Sequence, residues 1–191
     1  MQVLSNSVQI SHTLLKAALD RAQIVVDATA GNGNDTLFLA QNARRSTIIY
    51  AFDIQAQALC HAREKMHEFC KRDDIEVNFI HASHDEVAQY VNDSIDLAVF
   101  NLGYLPGGDH AVTTKCETTL NALKIMLEKL RRGGHIAVVV YPGHAEGLKE
   151  SQLIKDFAAS LAKKYFTVGW YQMINHNNNA PALCWIEKVG E

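Results

Sequence analysis

The chain has little of what usually betrays a function. Its four cysteines, Cys60, Cys70, Cys116 and Cys184, form no C-x-x-C pair. A chain of this size buries roughly 70% of its unfolded surface, so it needs no disulfide staples. The cysteines therefore read as reduced thiols of a cytoplasmic protein. No apolar run approaches the roughly 18 residues of a membrane span. The opening "MQVLSNSVQISH" has no basic stretch followed by an apolar core, so no secretory leader is expected. Positive charge is not in excess: 18 Lys and Arg against 21 Asp and Glu leave a net charge of −3. That argues against a polybasic nucleic-acid binder but leaves room for a local basic patch. Nine histidines are scattered, with only His81 and His84 close together, so no metal site is expected. Repeats and low-complexity segments are absent too. One domain over residues 1–191 is the expectation, residues 1–22 being an N-terminal helical segment.

What is present is an alternation of patterns. "ISHTLLKAALD" has helical apolar spacing, with Ser11 as its expected N-cap. "QIVVDATAGNGNDTLFLAQNA" reads as a buried strand, a glycine turn and a helix. "TIIYAFDI" is a second strand, "QAQALCHAREKMHEFCKR" a long amphipathic helix, "IEVNFIHAS" a third strand and "HDEVAQYV" a short helix. "SIDLAVFNLGY" is a fourth strand, and "TTKCETTLNALKIMLEKLRRGG" a helix closed by glycines with basic residues in its last turn. "HIAVVVYPGH" is a fifth strand, "AEGLKESQLIKDFAASLAKK" a helix, and "YFTVGWYQMIN" and "APALCWIEKV" two strands joined by "HNNN". Strands alternating with helices imply a parallel α/β sheet covered on both faces. The last two strands have no helix between them and should form an antiparallel hairpin at one edge. The expected fold is Rossmann-like, with a mostly parallel seven-stranded sheet.

In such a sheet ligands bind beyond the carboxyl ends of the strands. Those ends carry "DATAGNGNDT", "FDIQ", "HASHDE", "FNLGYLPGGDH" and "VYPGH", so nearly all the unusual chemistry falls on one edge. Gly31 and Gly33 permit a sharp turn into a helix N-terminus. Asp53, about twenty residues later at the end of strand two, stands where a carboxylate accepts two ribose hydroxyls. The simpler readings are a tight strand-to-helix turn and a helix cap. Together, the two features favour a ligand containing adenosine. The dinucleotide pattern G-x-G-x-x-G is incomplete, because Thr36 replaces the third glycine. Asp27 and Asp35 would repel a pyrophosphate. A cationic ligand fits better, and S-adenosylmethionine, with a sulfonium and an ammonium but no phosphate, fits better than NAD.

The blocks "VVDATAGNGNDTLFLA", "AFDIQ", "FNLGYLPGGDH", "YPGH" before Glu146-Gly147, and "NHNNNAPALCWIEK" resemble class I S-adenosylmethionine-dependent methyltransferases. More narrowly, they resemble the small bacterial YtqB-like family, labelled rRNA methylases and also called MnmM. The resemblance covers almost the whole chain, and "NHNNNAP" is its one modest departure. It implies tRNA methylation in the anticodon region, converting the wobble nucleoside 5-aminomethyl-2-thiouridine to 5-methylaminomethyl-2-thiouridine. It also implies a homodimer, which would pool basic surface for tRNA despite the acidic net charge. The basic pairs Arg44-Arg45, Lys71-Arg72, Arg131-Arg132 and Lys163-Lys164 each fall at an expected helix C-terminus, where dipole complementation is the simpler reading. Methylation of rRNA or of a small-molecule amine is the alternative, and an NAD-dependent oxidoreductase or a non-catalytic RNA-binding module comes after those.

Geometry and resemblance together assign the site. Asp27 would bind the methionine ammonium through water. The backbone of Ala30, Gly31, Asn32, Gly33 and Asn34 would wrap the methionine part, with Asp35 beside it. Asp53 would hold the ribose, with Ile54 and Gln55 next to the adenine. Ser83 and His84 follow strand three, where the class contacts the adenine ring; a surface histidine is the plainer reading of His84. Asn101, assigned to the cofactor as well as to the acceptor, ends strand four, where amine-directed methyltransferases carry Asn or Asp followed by Pro-Pro-Tyr. An amine nitrogen must aim its lone pair at the methyl carbon, so its hydrogens must be held elsewhere. An Asn oxygen and a backbone carbonyl can accept them. The missing prolines suit a flexible aliphatic amine better than a planar base. Leu102, Gly103, Tyr104, Gly107, Gly108, His110, Tyr141, His144 and His12 are assigned to the substrate side. A protonated amine needs a base, and the candidates are Asp109, His110, His144 and His12. Asn101, Tyr104, Asp109 and His144 are taken as the catalytic set.

Overall fold

The computed structural model describes residues 6–103, 116–176 and 180–190. A first helix, α1 (Ser7–Leu19), leads into β1 (Ile24–Asp27), α2 (Asn34–Asn42), β2 (Ile48–Asp53), α3 (Ala56–Phe69) and β3 (Glu76–His81). A single 3-10 turn (His84–Glu86) and α4 (Val87–Tyr90) precede β4 (Ile95–Leu102). The order continues with α5 (Cys116–Lys129), β5 (Leu130–Val140), α6 (Ala145–Ser160), β6 (Phe166–Gln172) and β7 (Ala182–Lys188). The seven strands form one sheet in the order β3-β2-β1-β4-β5-β7-β6. The first five are parallel, and β7 runs antiparallel to both β5 and β6. The hairpin strands expected at the edge are there, with β7 slotted inward and β6 outermost.

Every residue of β1, and all but one of β4, is buried. That is the pattern of parallel strands covered on both faces. Alternation then sorts the side chains into two cores. Val26, Ala28, Phe52, Ala98, Phe100, Ile136 and Val138 pack with Leu123 and Met126 of α5 and Ile154 and Ala158 of α6. Val25, Ile49, Leu97, Val99, Ala137 and Val139 pack with Leu15 and Leu19 of α1 and Leu39 and Ala40 of α2. Truncating a fully buried side chain such as Phe100 costs about 3–5 kcal/mol, through lost transfer energy and the cavity left behind.

Two boundaries differ from the sequence expectation. Helix α1 begins at Ser7, capped by Asn6, whose side chain accepts from Gln9 N at 2.9 Å. Ser11 lies inside the helix and its hydroxyl donates to Val8 O, because Asn6 is the better-placed acceptor one turn earlier. Strand β5 begins at Leu130, so Arg131 and Arg132 sit on a strand and not at a helix end. The reason is Asp96: buried, it accepts from Gln23 N and Ile24 N at 2.6 and 2.8 Å and pairs with Arg131. That draws the start of β5 against β4. Arg72 shows the dipole logic in another form, donating to the carbonyls of Ala40 and Ala43 near the end of α2.

The strand order reverses between β1 and β4, which opens a crevice beyond their carboxyl ends. Asp27 is paired with Val99 across that boundary. The loop after Asp27 and the tip of β4 at Asn101 therefore face each other. Among the described residues, no helix is long and apolar enough to cross a membrane.

Candidate functional site

The loop after β1 is fixed from several sides. Ala28 N donates to Val99 O at 2.8 Å and Ala30 N to Phe52 O at 2.9 Å, so the loop is fastened to both neighbouring strands. Thr29 Oγ1 accepts from Asn101 N at 2.8 Å. Gly33 has φ +77, and a Cβ there would lie 2.8 Å from both Cα and Cβ of Ala62. Only glycine suits both that left-handed backbone and the close approach of α3.

Asp27 is fully buried. One of its oxygens accepts from Thr36 Oγ1 at 2.6 Å and the other from Thr29 N at 3.2 Å. The expected water-mediated grip on an ammonium does not match this placement. The carboxyl holds the loop and the first turn of α2 together from inside. Thr36 had stood out only as a replacement for glycine, and it is the residue that satisfies Asp27. Burial, followed by the charge of Asp35, pushes the Asp27 carboxyl up to about 7. With Asp53 also contributing, three carboxyl groups share one corner. Such a donor set fits a sulfonium or an ammonium and opposes a phosphate.

Asp53 at the end of β2 accepts from Gly31 N through Oδ2 and from Gln55 N through Oδ1, both at 2.8 Å. Each oxygen keeps a further lone pair, the geometry a ribose diol needs. Beside it Ile54 is half exposed, an apolar surface next to the diol position. Asn34 accepts from Lys65 on α3 through its side chain. Ser83 caps the 3-10 turn reciprocally with Glu86. His84 is buried rather than on the surface. Its Nδ1 lies 3.2 Å from Ala28 O, and a carbonyl only accepts, so the proton is on Nδ1 and Nε2 carries a lone pair. Burial holds this imidazole below its ordinary pKa, so it stays neutral. His84 Nε2 and Asn32 Oδ1 are buried atoms with no hydrogen-bond partner among the described residues. Buried acceptors left bare are costly, and both would be relieved by a ligand that donates hydrogen bonds. The residues present thus fit S-adenosylmethionine.

Beyond Asn101 runs a second set of contacts, joining four segments far apart in the sequence. Asn101 Nδ2 donates to Asp35 Oδ2 at 2.8 Å, and Asn101 Oδ1 accepts from the Tyr141 hydroxyl at 2.8 Å. The other oxygen of Asp35 lies 2.8 Å from His12 Nε2. Burial, then the charge of Asp35, raises the Tyr141 pKa, so the hydroxyl remains a neutral donor. Gly103 lies against the Tyr141 ring, where a Cβ would come within 3.4 Å of it.

The remaining expected site residues fall differently. Leu102 is buried in the core, so its side chain cannot serve the substrate and only its backbone is on offer. His144 is the N-cap of α6, its Nδ1 accepting from Gly147 N at 3.1 Å. A base role competes with that bond. Tyr104, Gly107, Gly108, Asp109 and His110 lie outside the described residues. The relay from His12 to Tyr141 was missed as a unit: its members were picked out singly, but nothing in their spacing tells which carboxylate meets which amide.

A family model described as "Putative rRNA methylase" matches residues 49–187. A chloroplastic tRNA (mnm(5)s(2)U34)-methyltransferase of Arabidopsis thaliana is 31% identical over 188 residues, covering 94% of this chain and 68% of the plant protein. A solved structure from Clostridium thermocellum, described as a "putative rRNA-methylase", superposes with a TM-score of 0.92 at 37% identity, covering 98% of this chain and 100% of that one. One from Streptococcus mutans, a "putative methyltransferase" in complex with SAH, gives 0.86 at 40% identity, with the same coverage of 98% and 100%.

Proposed function

The chain belongs to this rRNA-methylase family of S-adenosylmethionine-dependent methyltransferases, and from that premise we propose that it methylates the exocyclic amine of a tRNA wobble nucleoside. The substrate of this reading is 5-aminomethyl-2-thiouridine in the anticodon region, and the product is 5-methylaminomethyl-2-thiouridine. One observation carries it: at the tip of β4 the Asn101 amide has its nitrogen tied to Asp35 and its oxygen bonded to the Tyr141 hydroxyl, with a lone pair to spare. An oxygen so held suits an N–H of an incoming amine. The name of the plant relative, a tRNA wobble-uridine methyltransferase, supports the same substrate.

S-adenosylmethionine supplies an electrophilic methyl group. The chain's own residues do the rest. Asp53 and Ile54 hold the ribose and adenine end, and Asn32 Oδ1 and His84 Nε2 supply acceptors. The loop from Ala30 to Asn34 wraps the methionine end, and the Asp27, Asp35 and Asp53 corner favours its positive charge. Asn101 Oδ1 takes one amine hydrogen, which turns the nitrogen lone pair toward the methyl carbon, and holding the pair in line removes much of the entropic barrier. Tyr141, bonded to the same oxygen, keeps the amide from swinging. The same reading carries a homodimer, which sedimentation of the purified protein checks.

Mass spectrometry of tRNA nucleosides from a deletion strain tests the substrate. Accumulation of the aminomethyl nucleoside at the expense of its methylated form is expected; an unchanged ratio would assign the activity elsewhere.

A further inference from the structure

We propose that Asp35 is the positioning residue of the acceptor half and that His12 is the base that takes the proton from the substrate ammonium; this rests on the amine-methylation reading above. A carboxylate only accepts hydrogen bonds. The atom of Asn101 at 2.8 Å from Asp35 Oδ2 is therefore the amide nitrogen, and the His12 Nε2 at 2.8 Å from Oδ1 carries a proton. Two consequences follow. The Asn101 amide cannot flip, so its oxygen stays on the acceptor side, against Tyr141. In its neutral form, His12 is held in the tautomer whose lone pair is on Nδ1. A carboxylate orienting an imidazole in this way is the arrangement of general-base histidines in unrelated hydrolases.

The surroundings of His12 suit the role. Its ring stacks on Phe38 at 3.8 Å between centroids, with planes 10° apart, so its orientation is fixed. Its side chain is 29% exposed, so protons can come and go. Helix α1 packs against α2, β5 and β7. Among the described residues, the titratable groups near the pair include Asp35 from α2, Lys16 of α1 over the same Phe38 ring, and the neutral Tyr141 hydroxyl just past β5. Asp27 lies behind Asp35 and repels it. Asn101 and His12 are held by the two oxygens of one carboxylate, so Asp35 ties the residue that orients the lone pair to the residue that takes the proton.

The step balances without a further reagent. The substrate ammonium gives one proton to His12 Nδ1. The neutral amine, with one remaining hydrogen on Asn101 Oδ1, forms its bond to the methyl carbon as the carbon–sulfur bond breaks, and that electron pair leaves on sulfur. The product departs as a secondary ammonium, and His12 returns its proton to water.

The test compares wild type, His12→Gln, His12→Ala and Asp35→Asn on tRNA bearing the aminomethyl nucleoside, with S-adenosylhomocysteine affinity and Tm measured alongside. Gln places an amide N–H where Nε2 stood and so keeps a donor to Asp35, but it has no basic lone pair. His12→Gln and His12→Ala are each expected to lose about 100-fold in kcat near neutral pH. They should regain rate as pH approaches the pKa of the amine, with S-adenosylhomocysteine affinity unchanged. Added imidazole should restore His12→Ala, where space over Phe38 is open, in proportion to its concentration. Asp35→Asn should lower kcat about 10-fold with KM for tRNA unchanged and no rescue by imidazole. Wild type active while His12→Gln keeps its kcat and pH profile would overturn the base assignment alone. Wild type binding S-adenosylhomocysteine yet leaving the amine unmethylated would remove the amine reading, and this proposal with it.

Discussion

The two halves of the crevice are built differently. The half after β1 and β2 is held mainly by backbone: Gly31 N and Gln55 N on Asp53, Ala28 N and Ala30 N on strand carbonyls, and a buried acid closed off by a threonine. The half at the tip of β4 is held by side chain on side chain, His12 to Asp35 to Asn101 to Tyr141. Backbone ties come with the fold and give a rigid socket. A side-chain relay can be detuned one member at a time. Damage to the first half should therefore appear in stability and in affinity for S-adenosylhomocysteine, and damage to the second in turnover.

The largest effect is expected at Asn101. Asn101→Ala should lower kcat by about 100-fold or more, since orientation of the amine is lost. S-adenosylhomocysteine affinity measured by calorimetry should stay within a few-fold. If affinity collapses instead, the division between the halves is wrong. Next is Asp53→Ala. Two hydrogen bonds to a charged group are worth about 1.5–3 kcal/mol each, so affinity for S-adenosylhomocysteine should fall by about 100-fold or more in the same calorimetry.

Gly33→Ala belongs to the first half as well. A Cβ at 2.8 Å from the Ala62 backbone, on a left-handed residue, should cost a few kcal/mol and be seen as a lower Tm. Asp27 gives a pH signature. Its folded-state pKa, about 7, lies above the ordinary 3.8. Between those values the folded chain keeps a proton that the unfolded chain has lost. The contribution of Asp27 to stability is thus full below about pH 4 and falls as pH rises to about 7, by up to roughly 1.4 kcal/mol per pH unit. Asp27→Asn removes that slope, so the Tm of the variant relative to wild type should rise from pH 4 to pH 8. A constant difference would mean Asp27 is not the group responsible. The smallest effect is expected at Tyr141→Phe: one neutral hydrogen bond, about 1 kcal/mol, or a several-fold loss in kcat with Tm little changed.

Much of the first half was legible in the sequence because its signals are local. Gly31, Gly33 and Asp53 announce themselves by spacing along two consecutive strand–helix units, and the alternation of patterns carries the sheet and its antiparallel end. What could not be read is what depends on distant partners. Asp27 looked like a ligand contact because nothing local says that Thr36 folds back onto it. Arg131 looked like part of a helix end because its partner Asp96 is 35 residues earlier in the chain. His144 looked like a base, although its ring caps the helix that it precedes. The link between His12 and Asn101 exists only once α1 lies across α2 and β5. The candidates in the stretch from Tyr104 to His110 lie outside the described residues and keep the status the sequence gives them.

One measurement bears directly on the function. The purified protein is incubated with S-adenosylmethionine and tRNA carrying 5-aminomethyl-2-thiouridine, and the nucleosides are analysed by mass spectrometry. An amine methyltransferase converts that nucleoside to its methylaminomethyl form and leaves the other nucleosides untouched. Unchanged aminomethyl nucleoside, from protein that binds S-adenosylhomocysteine normally, would contradict the assignment.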